Sequence, residues 1–82
     1  MTYRAELSGR VLGQLSNFPE QALDALVATM AAVIEYPADP MQTFPAGAPY
    51  VRRAEFGGLG LVTYVINDAQ QTVTLTDVTW TG

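Results

Sequence analysis

The chain has 82 residues, a formal net charge of −4 at pH 7, no histidine and no cysteine. Its cations are four arginines, Arg4, Arg10, Arg52 and Arg53, so catalysis by a histidine base, a cysteine thiolate or a lysine Schiff base is excluded. The acidic net charge disfavours binding to phosphate backbones and anionic membranes, because such binding relies on clustered lysine and arginine.

One folded domain over residues 1–82 is expected, since 49% of the residues are hydrophobic and 15% are charged. A surface so poor in charge leaves apolar area for a second copy or a partner. No apolar run approaches the roughly 20 residues of a membrane span, and the first ten residues hold no signal-peptide core. We therefore expect a cytoplasmic protein.

The first predicted elements are a strand and a short helix. Residues 2–7 alternate in polarity, which predicts a half-buried strand. Its inner side chains would be Tyr3, Ala5 and Leu7. Ser8 can cap the helix that follows. The inward residues of that helix would be Val11, Leu12 and Leu15.

A longer helix is predicted next, with Asn17 as its N-cap, Pro19 in its first turn, and an end at Pro37. Its apolar residues recur at helical spacing. They are Leu23, Leu26, Val27, Met30, Val33 and Ile34. The opposite face carries alanines, among them Ala25, Ala28 and Ala32. That face either receives a partner or reflects only the high helix propensity of alanine.

The C-terminal half predicts an irregular connection over residues 39–49, anchored by Phe44 and Tyr50, and then three strands. The strands cover residues 50–56, 61–66 and 72–80, with glycines at 57–58 and a polar turn at 67–70 between them. Apolar parity changes between Leu75 and Val78, so a β-bulge near Thr76 and Asp77 is predicted.

The fold class that follows is α+β in the order β-α-α-β-β-β. Two antiparallel helices cover one face of a sheet built from a three-stranded antiparallel meander, with the N-terminal strand at one edge. No carboxylate spacing converges on a metal, and no glycine motif precedes a helix. Neither a metal nor a cofactor is expected.

Arg52 and Arg53 form the one cationic pair, on opposite faces of their strand. A guanidinium can clamp a phosphate or carboxylate, but ion pairing with Glu6, Glu55 or a neighbouring subunit is the alternative. Trp80 could stack on a nucleic-acid base or a partner side chain, or it could close the core.

The arrangement resembles the RelE/ParE superfamily of bacterial toxins from type II toxin–antitoxin operons. The resemblance covers almost the whole chain, through the segments TYRAEL, RVLGQL, ALDALVATMAAVIEYPADP and FGGLGLVTYVINDAQQTVTLTDVTW. In that family the third strand reads as a glycine turn, an arginine, two apolar residues, a tyrosine and an acidic turn. The residues that approximate it here are Gly57, Gly58, Leu61, Val62, Tyr64, Asn67 and Asp68.

The departures from the family concern activity. Its ribosome-dependent ribonucleases place a basic residue where this chain has Leu61, and they use lysines that are absent here. Arg52, Arg53 and Tyr64 alone stand at positions comparable to the family's functional residues. Loss of most of a cationic array costs several kcal/mol of transition-state stabilisation, so the resemblance implies the fold without RNA cleavage.

Three functions remain open at this point. The first is a toxin-like protein that binds an antitoxin through Ala25, Ala28, Ala32 and Trp80. The second is a non-catalytic binding or regulatory module, a homodimer formed through a sheet edge or the alanine face. The third is a ribosome-dependent mRNA endonuclease built on Arg52, Arg53 and Tyr64.

Overall fold

The computed structural model describes residues 2–82 and has two layers, a mixed five-stranded sheet with two helices packed against one face. The elements in chain order are β1 (Arg4–Leu7), α1 (Gly9–Leu15), α2 (Glu20–Val33), β2 (Thr43–Pro45), β3 (Val51–Phe56), β4 (Gly60–Asn67) and β5 (Thr72–Trp80). The predicted α+β class is confirmed.

The sheet has the order β1-β5-β4-β3-β2, with β1 parallel to β5 and every other pair antiparallel. The apolar β4 lies at its centre and β1 lies at one edge, as predicted. The other edge holds β2, which the sequence analysis placed inside an irregular connection. Three residues are too few to show alternation, and Thr43 is held there by contacts distant in sequence.

The turn and the bulge predicted in the C-terminal half are both confirmed. Gly57 and Gly58 have φ angles of 62° and 75°, left-handed values that favour glycine, and they lie in the three-residue turn between the paired residues Phe56 and Gly60. Thr63 pairs with Asp77 while Tyr64 pairs with Leu75, so Thr76 is the extra residue. The bulge therefore returns Val78 to the core face, where its side chain is buried.

Each helix exposes one residue that was predicted to face inward. Ser8 caps α1 by accepting a hydrogen bond from the Val11 N–H at 3.2 Å, as predicted, but Leu12 is 57% exposed. Asn17 does not cap α2, since Pro19 occupies the N-cap position and its side chain makes no hydrogen bond. On α2, Val27 is 69% exposed. Leu26 and Val33 are buried as predicted, and Ala22 is buried with them.

Two further burial predictions are wrong. All four residues of β1 are exposed, because an edge strand has one neighbour and α1 packs mainly against β5. Phe44 and Tyr50 are also exposed, so neither anchors the connection before β3. The core forms instead between the helices and the inner face of β3, β4 and β5. Its largest fully buried side chains are Tyr64, Phe56, Leu75, Val11, Val62, Val73 and Val78.

Candidate functional site

A groove runs between α2 and β3. It has a volume of about 380 Å³, and its walls are mostly small apolar side chains. Its lining residues are Ala28, Thr29, Ala32, Val33, Gln42, Ala54 and Glu55. A second groove of about 420 Å³ runs along β2 and shares Gln42 and Glu55 with the first. Together they form a continuous depression at the β2 edge of the sheet, which we call the α2 groove.

The structure separates the four residues predicted to contact a partner. Ala28 and Ala32 line the α2 groove. Ala25 packs against the core instead, close enough to the glycine turn that a Cβ on Gly57 would lie 2.9 Å from the Ala25 Cβ. Trp80 also packs against the core. Its ring stacks on Phe56 with centroids 5.6 Å apart, which is the core-closing alternative.

Arg52 is held inside the protein by β2. Its Nε donates to the Thr43 Oγ1 at 2.8 Å, and its Nη2 donates to the Thr43 carbonyl oxygen at 3.1 Å. The Thr43 hydroxyl in turn donates to the Asp39 carbonyl oxygen at 2.7 Å. Two guanidinium donors are therefore already occupied, and they fix β2 to β3.

Tyr64 lies opposite Arg52 in the β3–β4 register, and its side chain is fully buried. Its hydroxyl donates to the Pro37 carbonyl oxygen at 2.6 Å. Burial raises the pKa of Tyr64 above its ordinary value, and the nearby Thr43 and Arg52 offset part of that rise. The hydroxyl therefore stays protonated near neutral pH, and its proton is committed to a structural hydrogen bond.

Arg53 lies on the other face of the sheet, as the alternation of β3 predicts. Its Nε donates to the Thr63 Oγ1 on the neighbouring strand at 3.1 Å. The three candidate catalytic residues are thus not brought together, because Arg52 and Tyr64 share the helix side and Arg53 points away from them. The expected ion pairs of these arginines with Glu6 or Glu55 are replaced by hydrogen bonds to threonines.

The side chain of Gln14 on α1 joins the helix to the bulge in β5. Its Oε1 accepts from the Val78 N–H at 3.0 Å, and its Nε2 donates to the Asp77 Oδ1 at 2.8 Å. Arg10 adds an ion pair with the same carboxylate oxygen at 3.3 Å. Asp77 therefore anchors α1 on the bulge. Sequence reasoning singled out Asp77 but missed Gln14, whose partner lies 64 residues away.

Neither a metal cluster nor a membrane helix is found in the part of the chain that the structure describes. No group of three acidic, histidine or cysteine side chains within residues 2–82 converges on a point that could hold a metal ion. Over the same residues, no helix is long and apolar enough to cross a membrane.

Comparison with solved structures decides the fold. The chain superimposes with a TM-score of 0.85 on the toxin–antitoxin complex RelBE2 from Mycobacterium tuberculosis, at 19% identity and with 99% of this chain and 100% of that chain covered. The chain has the RelE toxin fold. The archaeal RelE–RelB complex from Pyrococcus horikoshii gives a TM-score of 0.79 at 18% identity, with coverage of 100% and 98%.

A third RelE structure extends the comparison. A mutant E. coli toxin RelE in complex with an antitoxin RelBc peptide gives a TM-score of 0.84 at 17% identity, covering 100% of this chain and 86% of that one. No protein-family model matches the sequence, and neither does any curated protein. The RelE fold is therefore conserved here at a level of identity where residue functions do not transfer by alignment.

Proposed function

We propose that this chain is a toxin-fold protein that binds an antitoxin-like protein through the α2 groove, and that it acts by protein–protein contact and not as a ribonuclease. The groove carries the proposal. Ala28 and Ala32 present little bulk, so an apolar helix or extended segment can approach the α2 backbone closely. Glu55 on the wall favours a cationic residue in that segment.

The comparisons support a partner of this class. The M. tuberculosis, P. horikoshii and E. coli structures reported above each contain a RelE-fold toxin with its antitoxin or an antitoxin peptide. The resemblance to bacterial toxin–antitoxin proteins stated above implies a bacterial, cytoplasmic setting, and we infer that setting for this chain.

The hydrogen bonds that Arg52, Arg53 and Tyr64 make within the protein support a non-catalytic role. The Arg52 Nε donates to Thr43, the Tyr64 hydroxyl donates to the Pro37 carbonyl oxygen, and Arg53 lies on the far side of the sheet. A phosphoryl transition state needs several cationic groups aimed at one point. Detachment of β2 would release Arg52 from Thr43 but would leave Arg53 on the opposite face of β3, so these three residues do not form such a point on this sheet.

Binding to the product of a neighbouring small gene tests the proposal directly. Ala28→Glu and Ala32→Glu should each weaken that binding at least tenfold, because each places an uncompensated charge in the contact. Ala31→Glu is the matched control, since Ala31 is exposed on the same helix outside the groove lining. Equal affinities for all three variants would remove the groove from the proposal.

Expression in a bacterial host separates binding from catalysis. Growth and translation are followed after induction, with and without the neighbouring gene, while mRNA on translating ribosomes is examined for cleavage. The proposal expects intact mRNA. Cleavage that disappears in Arg53→Ala would establish the endonuclease instead and would overturn the non-catalytic assignment.

A further inference from the structure

The outer edge of β1 offers backbone groups for pairing. The N–H groups of Arg4 and Ser8 donate to the carbonyl oxygens of Gln71 and Leu75 at 2.9 and 3.1 Å. In a parallel ladder the N–H and C=O of one residue point to the same side and alternate along the strand. The backbone groups of Ala5 and Leu7 therefore point away from β5, toward the edge.

Part of this edge is open to pairing. Native sheets protect their edges with lysine, proline, a bulge or a covering loop. β1 pairs in regular register with β5, contains no proline, and is exposed at all four residues. Its shortness and the charges of Arg4 and Glu6 are protections that remain. The Tyr3 N–H donates to the Ile34 carbonyl oxygen at 2.7 Å, so the edge is open to another strand only from Ala5 to Leu7.

The charges of β1 fit a second copy of the same strand. Arg4 and Glu6 both line a depression on the helix-free face of the sheet. In an antiparallel pair centred on Ala5, Arg4 of each copy lies opposite Glu6 of the other, in the non-hydrogen-bonded positions where side chains approach most closely. Centring on Arg4 or on Glu6 would instead oppose like charges. The sequence of the strand thus favours one register.

Apolar side chains accompany the edge on the helix side. Leu7 is 42% exposed and Leu12 on α1 is 57% exposed, and α1 packs against β1 and β5. In a pair with a twofold axis perpendicular to the sheet, both helix layers lie on the same side. The exposed leucines of the two copies then lie on the same side of the joined sheet and can be covered by each other.

We propose that the free chain forms a symmetric dimer in which two β1 strands pair antiparallel about Ala5, joining two five-stranded sheets into one of ten strands. The Ala5 residues exchange their N–H and C=O hydrogen bonds across the axis. Two Arg4–Glu6 pairs flank them on the open face. The dimer is independent of the antitoxin-like role proposed above, because the α2 groove lies at the opposite edge of the sheet.

Sedimentation equilibrium of the purified chain tests the proposal. A short edge makes a weak interface, so the chain is loaded at up to about 100 µM. The expected mass is twice the 8.8 kDa of one chain. Arg4→Glu and Glu6→Arg should each raise the dimer dissociation constant at least tenfold, because each places like charges opposite each other twice. The double reversal Arg4→Glu with Glu6→Arg should restore the wild-type constant.

The control for Glu6→Arg is Asp24→Arg, which makes the same change of net charge on the exposed surface of α2 and should leave the dimer intact. Ala5→Pro provides a second test, because it removes an N–H that points outward and contributes nothing to the β1–β5 ladder. Circular dichroism and thermal unfolding confirm that each variant keeps its fold.

Three results would overturn the proposal. The first is a wild-type chain that stays monomeric over the whole concentration range, even if its β1 edge pairs with a strand of a different protein. The second is a dimer that neither single reversal weakens. The third is a dimer abolished by Ala28→Glu but unaffected by Glu6→Arg, which would place the contact on the helix face.

Discussion

Tyr64 illustrates how burial decides what a polar residue does. Its hydroxyl contacts the carbonyl oxygen of Pro37, which lies just after the end of α2. The bond therefore ties the central strand to the connection that leaves the helix. In a fully buried setting, a bond of this kind is costly to break, because the acceptor cannot turn to water.

Replacing Tyr64 with phenylalanine should lower the free energy of unfolding by about 1–3 kcal/mol, since the Pro37 oxygen is left buried without a donor. Urea denaturation measures the change. Tyr36→Phe is the matched control, because Tyr36 is 71% exposed, and we expect it to change stability by less than about 0.5 kcal/mol. Equal losses in the two variants would contradict the structural role of the Tyr64 hydrogen bond.

Alkaline pH should weaken the fold through the same residue. Burial raises the pKa of Tyr64 above its ordinary value of 10.0, so its contribution to stability is complete below pH 10. As the pH rises past that value, the unfolded chain releases the proton while the folded chain retains it, and the free energy of unfolding falls.

Urea midpoints measured from about pH 9 to 11 should therefore fall more steeply in the wild type than in Tyr64→Phe. Some decline remains in the variant, because the hydrogen bond to Asp68 raises the pKa of Tyr3 as well. A variant that loses stability as steeply as the wild type would show that Tyr64 does not titrate differently in the folded state.

At the scale of elements, the bulge in β5 and the helix α1 depend on each other. Beyond Leu75, β5 has no β1 partner, and the Gln14 side chain takes over the Val78 N–H. The amide of glutamine suits this position because it accepts from the backbone and donates to Asp77 at the same time. A hydrogen bond from the Gln14 side chain thus satisfies β5 beyond the point where its pairing with β1 ends.

Gln14→Ala should lower the free energy of unfolding by about 1–3 kcal/mol, because it leaves the partly buried Val78 N–H without an acceptor. Gln21→Ala makes the same substitution at an exposed position in the other helix and should have little effect. Amide hydrogen exchange gives a second readout, in which the Val78 amide loses protection in Gln14→Ala. Unchanged protection there would mean that another group satisfies this amide.

The glycine turn provides a matched pair of substitutions. Gly57→Ala and Gly58→Ala both force a side chain into a positive φ, at a cost of about 1–2 kcal/mol. The Cβ at position 57 would also lie 2.9 Å from the Ala25 Cβ and 3.1 Å from the Trp80 ring, whereas at position 58 it meets open space. We therefore expect Gly57→Ala to be clearly the more destabilising in thermal unfolding, and equal losses would contradict this packing.

These elements also show what the sequence could predict. The glycine turn, the central strand and the bulge each follow from signals within about ten residues, namely paired glycines, a β-branched run and a change of parity. The exposure of Leu12 and Val27 could not be predicted, because it depends on how each helix lies on the sheet. β2 escaped prediction because Arg52 and Asp39, both outside it, hold Thr43 in place.

The candidate site was predictable to a similar extent. Alternation placed Arg52 and Arg53 on opposite faces, but only the pairing of strands shows that threonines occupy their donors. The tertiary fold divides the alanine face of α2, since Ala25 lies beside the glycine turn while Ala28 and Ala32 line the groove. Sequence periodicity shows which residues share one face of a helix, but it does not show which other elements that face contacts.

At the scale of the whole molecule, the two proposed contacts lie at opposite edges of the sheet. One edge carries β2, the Arg52 contacts and the α2 groove, and the other carries the open strand β1. An antitoxin-like partner and a second copy of the chain would therefore not compete for the same surface. The acidic net charge of −4 opposes self-association in general, so a dimer needs the specific charge pairing that β1 offers.

The pairing of β1 with β5 has a consequence for the order in which the protein is made and folded. The first strand has its sheet neighbour at Thr72 to Leu75, so during synthesis it remains unpaired until β5 has left the ribosome. Helical segments and the β3–β4 hairpin can form earlier. The pairing of β1 with β5 is therefore a late step in completing the sheet.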